Sequence, residues 1–182
     1  LDKTGTITFG NRLAADFMPV SGASRSELIR CAALTSLHDE TPEGKSTLEL
    51  ARRLGDQTTA PDQVQFHEFT AQTRMSGLDL PDGTRVRKGA SEAIEQYVTA
   101  QGGKIPSDLH ELVNQVAGMG GTPLVVCEND QILGVIYLKD TVKPGMQERF
   151  ERLRAIGIKT IMCTGDNPLT AATIAREAGV DG

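Results

Sequence analysis

The chain has 182 residues, 38% of them hydrophobic and 24% charged, with a net charge of -5 and a pI near 5.2. That length and composition support a buried core in one domain or two small ones, and exclude a disordered or fibrous chain. The acidic balance argues against broad binding to nucleic acid, so any phosphate site must be built locally.

The first residues, LDKTGTITFGN, crowd a carboxylate, a lysine and threonines around one glycine before a short strand expected at TITF. Asp, Thr and Gly are turn formers, so an ordinary polar loop is one reading; a nucleophilic Asp2 is the sharper one. The stretch SRSELIRCAALTSL carries a capping box, Ser24 with Glu27, and apolar Leu28, Cys31 and Ala32 on one face, which predicts a helix. TPEGKSTLELARRLG predicts a second, with Pro42 near its start and Gly55 as its stop.

A polar stretch follows, then QFHEFTAQTRMSGLDLPDGTRVRKG, whose PDG reads as a tight turn between two antiparallel strands. ASEAIEQYVTAQGG and PSDLHELVNQVAGMGG predict two more helices, the second with Leu109, Leu112, Val113 and Val116 at helical spacing. The GMGG at Gly118 to Gly121 lies after a helix and before a strand, the reverse of a P-loop, and reads as a helix stop. TPLVVCENDQILGVIYLKD reads as two strands around an Asn129-Asp130 turn.

From there the pattern alternates: strand ILGVIYL, helix KPGMQERFERLRAIG, strand IKTIMCTGD, helix NPLTAATIAREAG. Such alternation is that of parallel βαβ units, so two folds are expected to share the chain: helices with an antiparallel sheet, and a Rossmann-like α/β portion. Cys31, Cys127 and Cys163 lack CxxC spacing and sit in apolar stretches, and are expected as core residues in a reducing, cytosolic compartment. His38, His67 and His110 are scattered, and no zinc site is expected. No signal peptide is expected, and no apolar run approaches the roughly 20 residues that span a bilayer.

In parallel α/β sheets, ligands gather at the carboxyl ends of strands, where helix N-termini face anions. Thr164, Gly165 and Asp166 lie at such a place, and DKTGT would sit at the end of a second strand. The set suits phosphoryl transfer onto a carboxylate: Asp2 attacks a terminal phosphate, and Thr4 and Thr164 offer donors to its oxygens. A pair of Asp residues helps hold Mg2+, with Asp2 and Thr4 as the metal-facing residues. Lys3 supplies a cation, although neighbouring side chains in extended chain diverge.

DKTGT with a downstream TGD resembles the P-type ATPases, cation pumps of the haloacid dehalogenase superfamily. Within that family HDETPEGKS, FTAQTRMSG, RKGA and LKDTVKPG are similar to the catalytic subunit of its potassium-transporting branch, over essentially the whole chain. The resemblance implies a nucleotide-binding domain, residues 11–136, inserted into a phosphorylation domain whose incomplete pieces are residues 1–10 and 137–182. It implies ATP as substrate, Mg2+ as cofactor, other subunits of a potassium-transporting membrane complex as partners, and the cytoplasmic face of a bacterial inner membrane as location. Asp2 would become the aspartyl phosphate.

By the same resemblance Phe69 stacks on adenine, Glu43 accepts from its exocyclic amine, with Glu40 a weaker candidate, and Lys88 and Gly89 lie at a strand end against phosphate or ribose. Ser76 and Arg74 are polar candidates on one loop, and Asp140 and Lys143 organise a hinge near the phosphates. Bland readings stand beside these: a core Phe, a helix N-terminal acid and a solvated strand end. The membrane helices, an actuator domain and a later Mg2+-binding segment are expected to lie outside this chain, which leaves an excised fragment. With only Leu1 before it, Asp2 is expected to fray and to be silent here. Two other readings are a soluble phosphatase of the same superfamily, which would want an acid where Thr4 stands, and a nucleotide-binding module without chemistry.

Overall fold

The computed structural model describes residues 1–181. Its elements in chain order are β1 (Thr8–Pro19), α1 (Arg25–Ser36), α2 (Pro42–Arg53), β2 (Gln65–His67), β3 (Met75–Asp79), β4 (Arg85–Gly89), α3 (Ser91–Ala100), α4 (Leu109–Gly118), β5 (Gly121–Glu128), β6 (Gln131–Val142), α5 (Met146–Ala155) and α6 (Pro168–Ala178). Gly182, the last residue of the expected third piece, lies outside the described residues.

All six strands form one antiparallel sheet in the order β1-β6-β5-β4-β3-β2. Alternation along the strands sends side chains to opposite faces. Val126, Ile136 and Leu138 pack under α1 and α2 with Leu28, Leu34 and Leu50, while Val125, Cys127 and Val135 pack under α3 and α4 with Ile94, Val98, Leu109 and Val116. A third, smaller core gathers Ile7, Met146, Phe150, Ile174 and Ala178.

Local chemistry sets the helix starts as expected. Ser24 accepts from the Glu27 amide, and Thr41 accepts from the Gly44 amide with Pro42 in the first turn. The turn between β3 and β4 carries Gly83 at φ 90°, and Asn129 turns β5 into β6 at φ 53°.

Several expectations are corrected. Lys3–Ile7 forms a wide turn with Gly5 at φ 78°, so the strand expected at TITF starts only at Thr8 and runs on to Pro19. ILGVIYL belongs to β6 and pairs antiparallel with β1 and β5, so it opens no parallel unit. The strand expected at IKTIMCTGD forms no ladder among the described residues; its one bridge is parallel, between Cys163 and Asp2, while the Thr160 amide and hydroxyl donate to Asp181 Oδ2 instead of to a neighbouring strand. Cys31 and Cys127 are buried, but Cys163 is exposed at that bridge. Ser76 lies within β3, not on a loop. The chain start is tied down, contrary to the fraying expected of Asp2: the Leu1 ammonium donates to Ile161 O at 2.6 Å, and the Cys163 amide to Leu1 O at 2.7 Å.

Candidate functional site

Two groups of side chains meet where β1 and β6 leave the sheet. The first surrounds Lys3, whose side chain turns inward while Asp2 stays exposed, as neighbours in extended chain must. Lys3 is 1% exposed, with its ammonium 2.6 Å from Asp166 Oδ2 and 3.5 Å from Asp140 Oδ2. A buried ammonium demands such partners, since an unpaired charge in the interior is strongly unfavourable. Thr8 donates its hydroxyl to Asp140 Oδ2 at 2.7 Å, pinning β1 to β6 at their far ends. Lys143 donates its ammonium to Gly5 O and so holds the turn after Thr4.

The Asp2–Cys163 bridge sets Asp2 directly beside the segment that continues into Thr164, Gly165 and Asp166. Asp2, Thr4 and Gly165 are exposed and Thr164 and Asp166 half-buried. The Asp166 amide donates to the Thr164 hydroxyl at 3.2 Å, a tight turn before the Asn167 cap of α6. The structure thus brings Asp2 and Lys3 beside the Thr164–Asp166 turn, with Lys3 ordered by Asp166 and Asp140, while Thr4 stands exposed in the turn after them.

The second group lines a cavity of about 390 Å3 whose walls include Glu43, Phe69, Ser76, Lys88 and Gly89, all five of the residues expected to meet nucleotide. Antiparallel register explains part of this: Ser76 lies opposite Lys88, so both face the same side of the sheet. Phe69 is 59% exposed, an apolar ring left open on the cavity rim instead of a core residue. Glu43 sits in the first turn of α2, so it is also a helix N-terminal acid. Gly89 has a packing reason as well, since a Cβ there would lie 2.3 Å from Arg74 O.

Lys88 is buried, not solvated, and its ammonium lies 2.8 Å from Asp39 Oδ2 and donates to Ser36 Oγ at 2.8 Å. Burial works to raise the Asp39 carboxyl, but the Lys88 ammonium and the Thr41 donors outweigh it and hold the group below the usual carboxylate range. Burial likewise lowers the Lys88 ammonium, against the pull of Asp39 and Glu43. Asp39 was missed by sequence reasoning, although it stands inside HDETPEGKS. Arg12 was also missed: it lines the cavity and donates to Asp166 Oδ1 at 3.2 Å, so one side chain joins the two groups. Arg74 turns away to Glu92.

The chain belongs to the haloacid dehalogenase-like hydrolase family, whose model matches residues 1–182. It is 65% identical over 184 residues to the potassium-transporting ATPase ATP-binding subunit of Clostridium acetobutylicum, and 61% identical to the potassium-transporting ATPase ATP-binding subunit 2 of Listeria innocua. Each alignment covers 100% of this chain, which spans 27% of the length of those relatives. Among solved structures, a zinc-transporting PIB-type ATPase in its E2.Pi state aligns with TM-score 0.64 and 30% identity over 98% of this chain and 27% of its own. The N-domain of a copper-transporting P-type ATPase, 18% identical, shares the fold over 71% of this chain and 99% of its own, with TM-score 0.52. The similarity is therefore to part of a P-type ATPase, which includes its N-domain.

Proposed function

We propose that the chain is the ATP-binding and phosphorylation-site portion of a P-type potassium-transporting ATPase, in which ATP phosphorylates Asp2 to drive transport. The observation that carries this reading is the single cavity that collects Glu43, Phe69, Ser76, Lys88 and Gly89, joined through Arg12 to the Asp166 and Lys3 cluster beside Asp2. Residues 11–136 bind the nucleotide, and residues 1–10 and 137–182 are pieces of the phosphorylation domain. The separate core around Phe150 supports that division, and β1 and β6 both cross its boundaries as continuous strands.

Adenine stacks on the open Phe69 ring, and Glu43 accepts from its exocyclic amine. Gly89 brings the β4 backbone near the ligand, and Ser76 and the Lys88 stem close the floor. The Asp2 carboxylate attacks the γ-phosphorus; an Asp2 O–P bond forms, the bond to the bridging oxygen breaks, and ADP leaves with that electron pair. Thr4, Thr164 and the Gly165 amide donate to the transferred phosphoryl oxygens.

Asp2 and Thr4 would hold Mg2+ by hard oxygen donors. Among the described residues no group of three or more His, Cys, Asp or Glu gathers to hold a metal, so Mg2+ would draw its remaining ligands from water and substrate phosphates. When bound, it supplies charge neutralisation to the phosphates.

In the longer protein the pump would sit in a membrane complex with other subunits, with this portion on the cytoplasmic face. Among the described residues no helix is long and apolar enough to cross a membrane. An amide chemical-shift titration with ATP tests the reading. Shifts centred on Glu43, Phe69, Ser76, Lys88 and Gly89 support it, and shifts confined to other parts of the sheet contradict it.

A further inference from the structure

Arg12 sits between the cavity and the phosphorylation loop, and the charges around it are unequally committed. Among the described lining residues the cations are Arg12 and Lys88, and the anions Asp39 and Glu43. Lys88 is buried and held by Asp39 and Ser36. Arg12 is 26% exposed, and its recorded partner is Asp166 Oδ1 at 3.2 Å. A polyphosphate carrying several negative charges therefore meets one cation able to change partners without uncovering a buried charge.

Asp166 can release it. Its other oxygen, Oδ2, lies 2.6 Å from the buried Lys3 ammonium, and that pair persists without Arg12. The helix that follows is anchored independently: Thr170 donates its hydroxyl to Gly121 O at 2.8 Å, and Thr173 to Gly118 O at 3.1 Å. Gly120 gives α6 its close seat, since a Cβ there would lie 3.1 Å from Thr173 Cγ2. Arg12 can leave Asp166 without moving the loop. Arg12 and Asp166 are 26% and 19% exposed, so the pair is open to solvent on one side, and a guanidinium engages phosphate through parallel, charge-assisted hydrogen bonds.

We propose that Arg12 is a partner-switching residue: it holds Asp166 while the cavity is empty and is transferred to the polyphosphate of a bound nucleotide, freeing one Asp166 oxygen as the phosphate arrives. This rests on the ATP-site reading above, with Arg12 as its polyphosphate-recognising cation.

Equilibrium titrations of the full chain with adenosine and with ATP test it, using Arg12→Ala, Arg12→Lys, Asp166→Asn and the Arg12→Ala/Asp166→Asn pair. Loss of Arg12 should weaken ATP about tenfold while leaving adenosine unchanged, with partial rescue by lysine. Asp166→Asn removes the competitor and should tighten ATP in the presence of Arg12 but not in its absence. Equal losses for ATP and adenosine in Arg12→Ala would reduce Arg12 to a structural role. Tightening by Asp166→Asn that persists without Arg12 would make the effect general charge repulsion and overturn the switch. Adenosine binding that ignores Phe69→Ala would instead strike the ATP-site reading, a separate failure.

Discussion

Lys3 and Asp166 are bound across the chain at 2.6 Å, with the Lys3 side chain 1% exposed. The ammonium also faces Asp140 at 3.5 Å, so removing it leaves two carboxylates without their shared cation. Lys3→Met should cost about 3 to 5 kcal/mol in unfolding free energy, the usual penalty for breaking a buried pair from one side. Adding Asp166→Asn should recover part of the loss. Urea denaturation checks both, and a Lys3→Met chain as stable as the parent would contradict the buried network.

Phe69 is exposed on the cavity rim, so its removal should spare the fold and strike the ligand. Phe69→Ala is expected to weaken ATP by about 1 to 3 kcal/mol, the range for base stacking on aromatic rings. Circular dichroism should be unchanged. Unaltered ATP affinity in a folded Phe69→Ala chain would remove the ring from the site.

Asp39 and Asp79 link stability to acid. At both, burial pushes the carboxyl up but is outweighed, at Asp39 by Lys88 and Thr41 and at Asp79 by Arg87 and His67, so both folded values lie below the usual range. A depressed folded value means that the unfolded chain binds more protons as pH falls. The stabilisation is therefore present above about pH 4 and is lost as pH drops through the folded values. Asp39→Asn should be less stable at neutral pH, with buried Lys88 deprived of its hydrogen-bonded carboxylate, and should show a shallower loss below about pH 4. Thermal melts across pH 2 to 7 read this out; parallel curves for the two proteins would contradict it.

Gly89 closes β4 against Arg74 O, where a Cβ would sit 2.3 Å away. Gly89→Ala should destabilise by about 1 to 3 kcal/mol through overpacking against backbone, and should weaken ATP by displacing the strand end. Unchanged stability in chemical denaturation would show that the two strands have room there.

What the sequence disclosed depended on how local the signal was. The Ser24 cap, the Pro42 start of α2, the turn after Leu80 and the Asn129 turn are each written within a few residues and appear as expected. β1 was obscured because register shifts between Thr8 and Arg12 and between Ala14 and Asp16 break its period of two, leaving Phe9 and Leu13 exposed. The segment ending in Cys163 reads as a strand by composition, but it makes a single parallel bridge, to Asp2, and its Thr160 amide is taken by the Asp181 carboxylate, a partner 21 positions away that composition does not show. The pairings at the site are longer in reach. Arg12 lies 154 positions from Asp166, and nothing in either neighbourhood names the other. Glu43, Phe69, Ser76, Lys88 and Gly89 were singled out by resemblance, and the register and the α2 cap are the physical means that bring them to one cavity.

In the proposed reaction Asp2 accepts the γ-phosphoryl group. Incubating the full-length protein with γ-labelled ATP, quenching in acid and treating with hydroxylamine tests this step. The expected result is an acid-stable, hydroxylamine-sensitive label that disappears in Asp2→Asn. Label of the same stability and amount on the Asp2→Asn protein would contradict it.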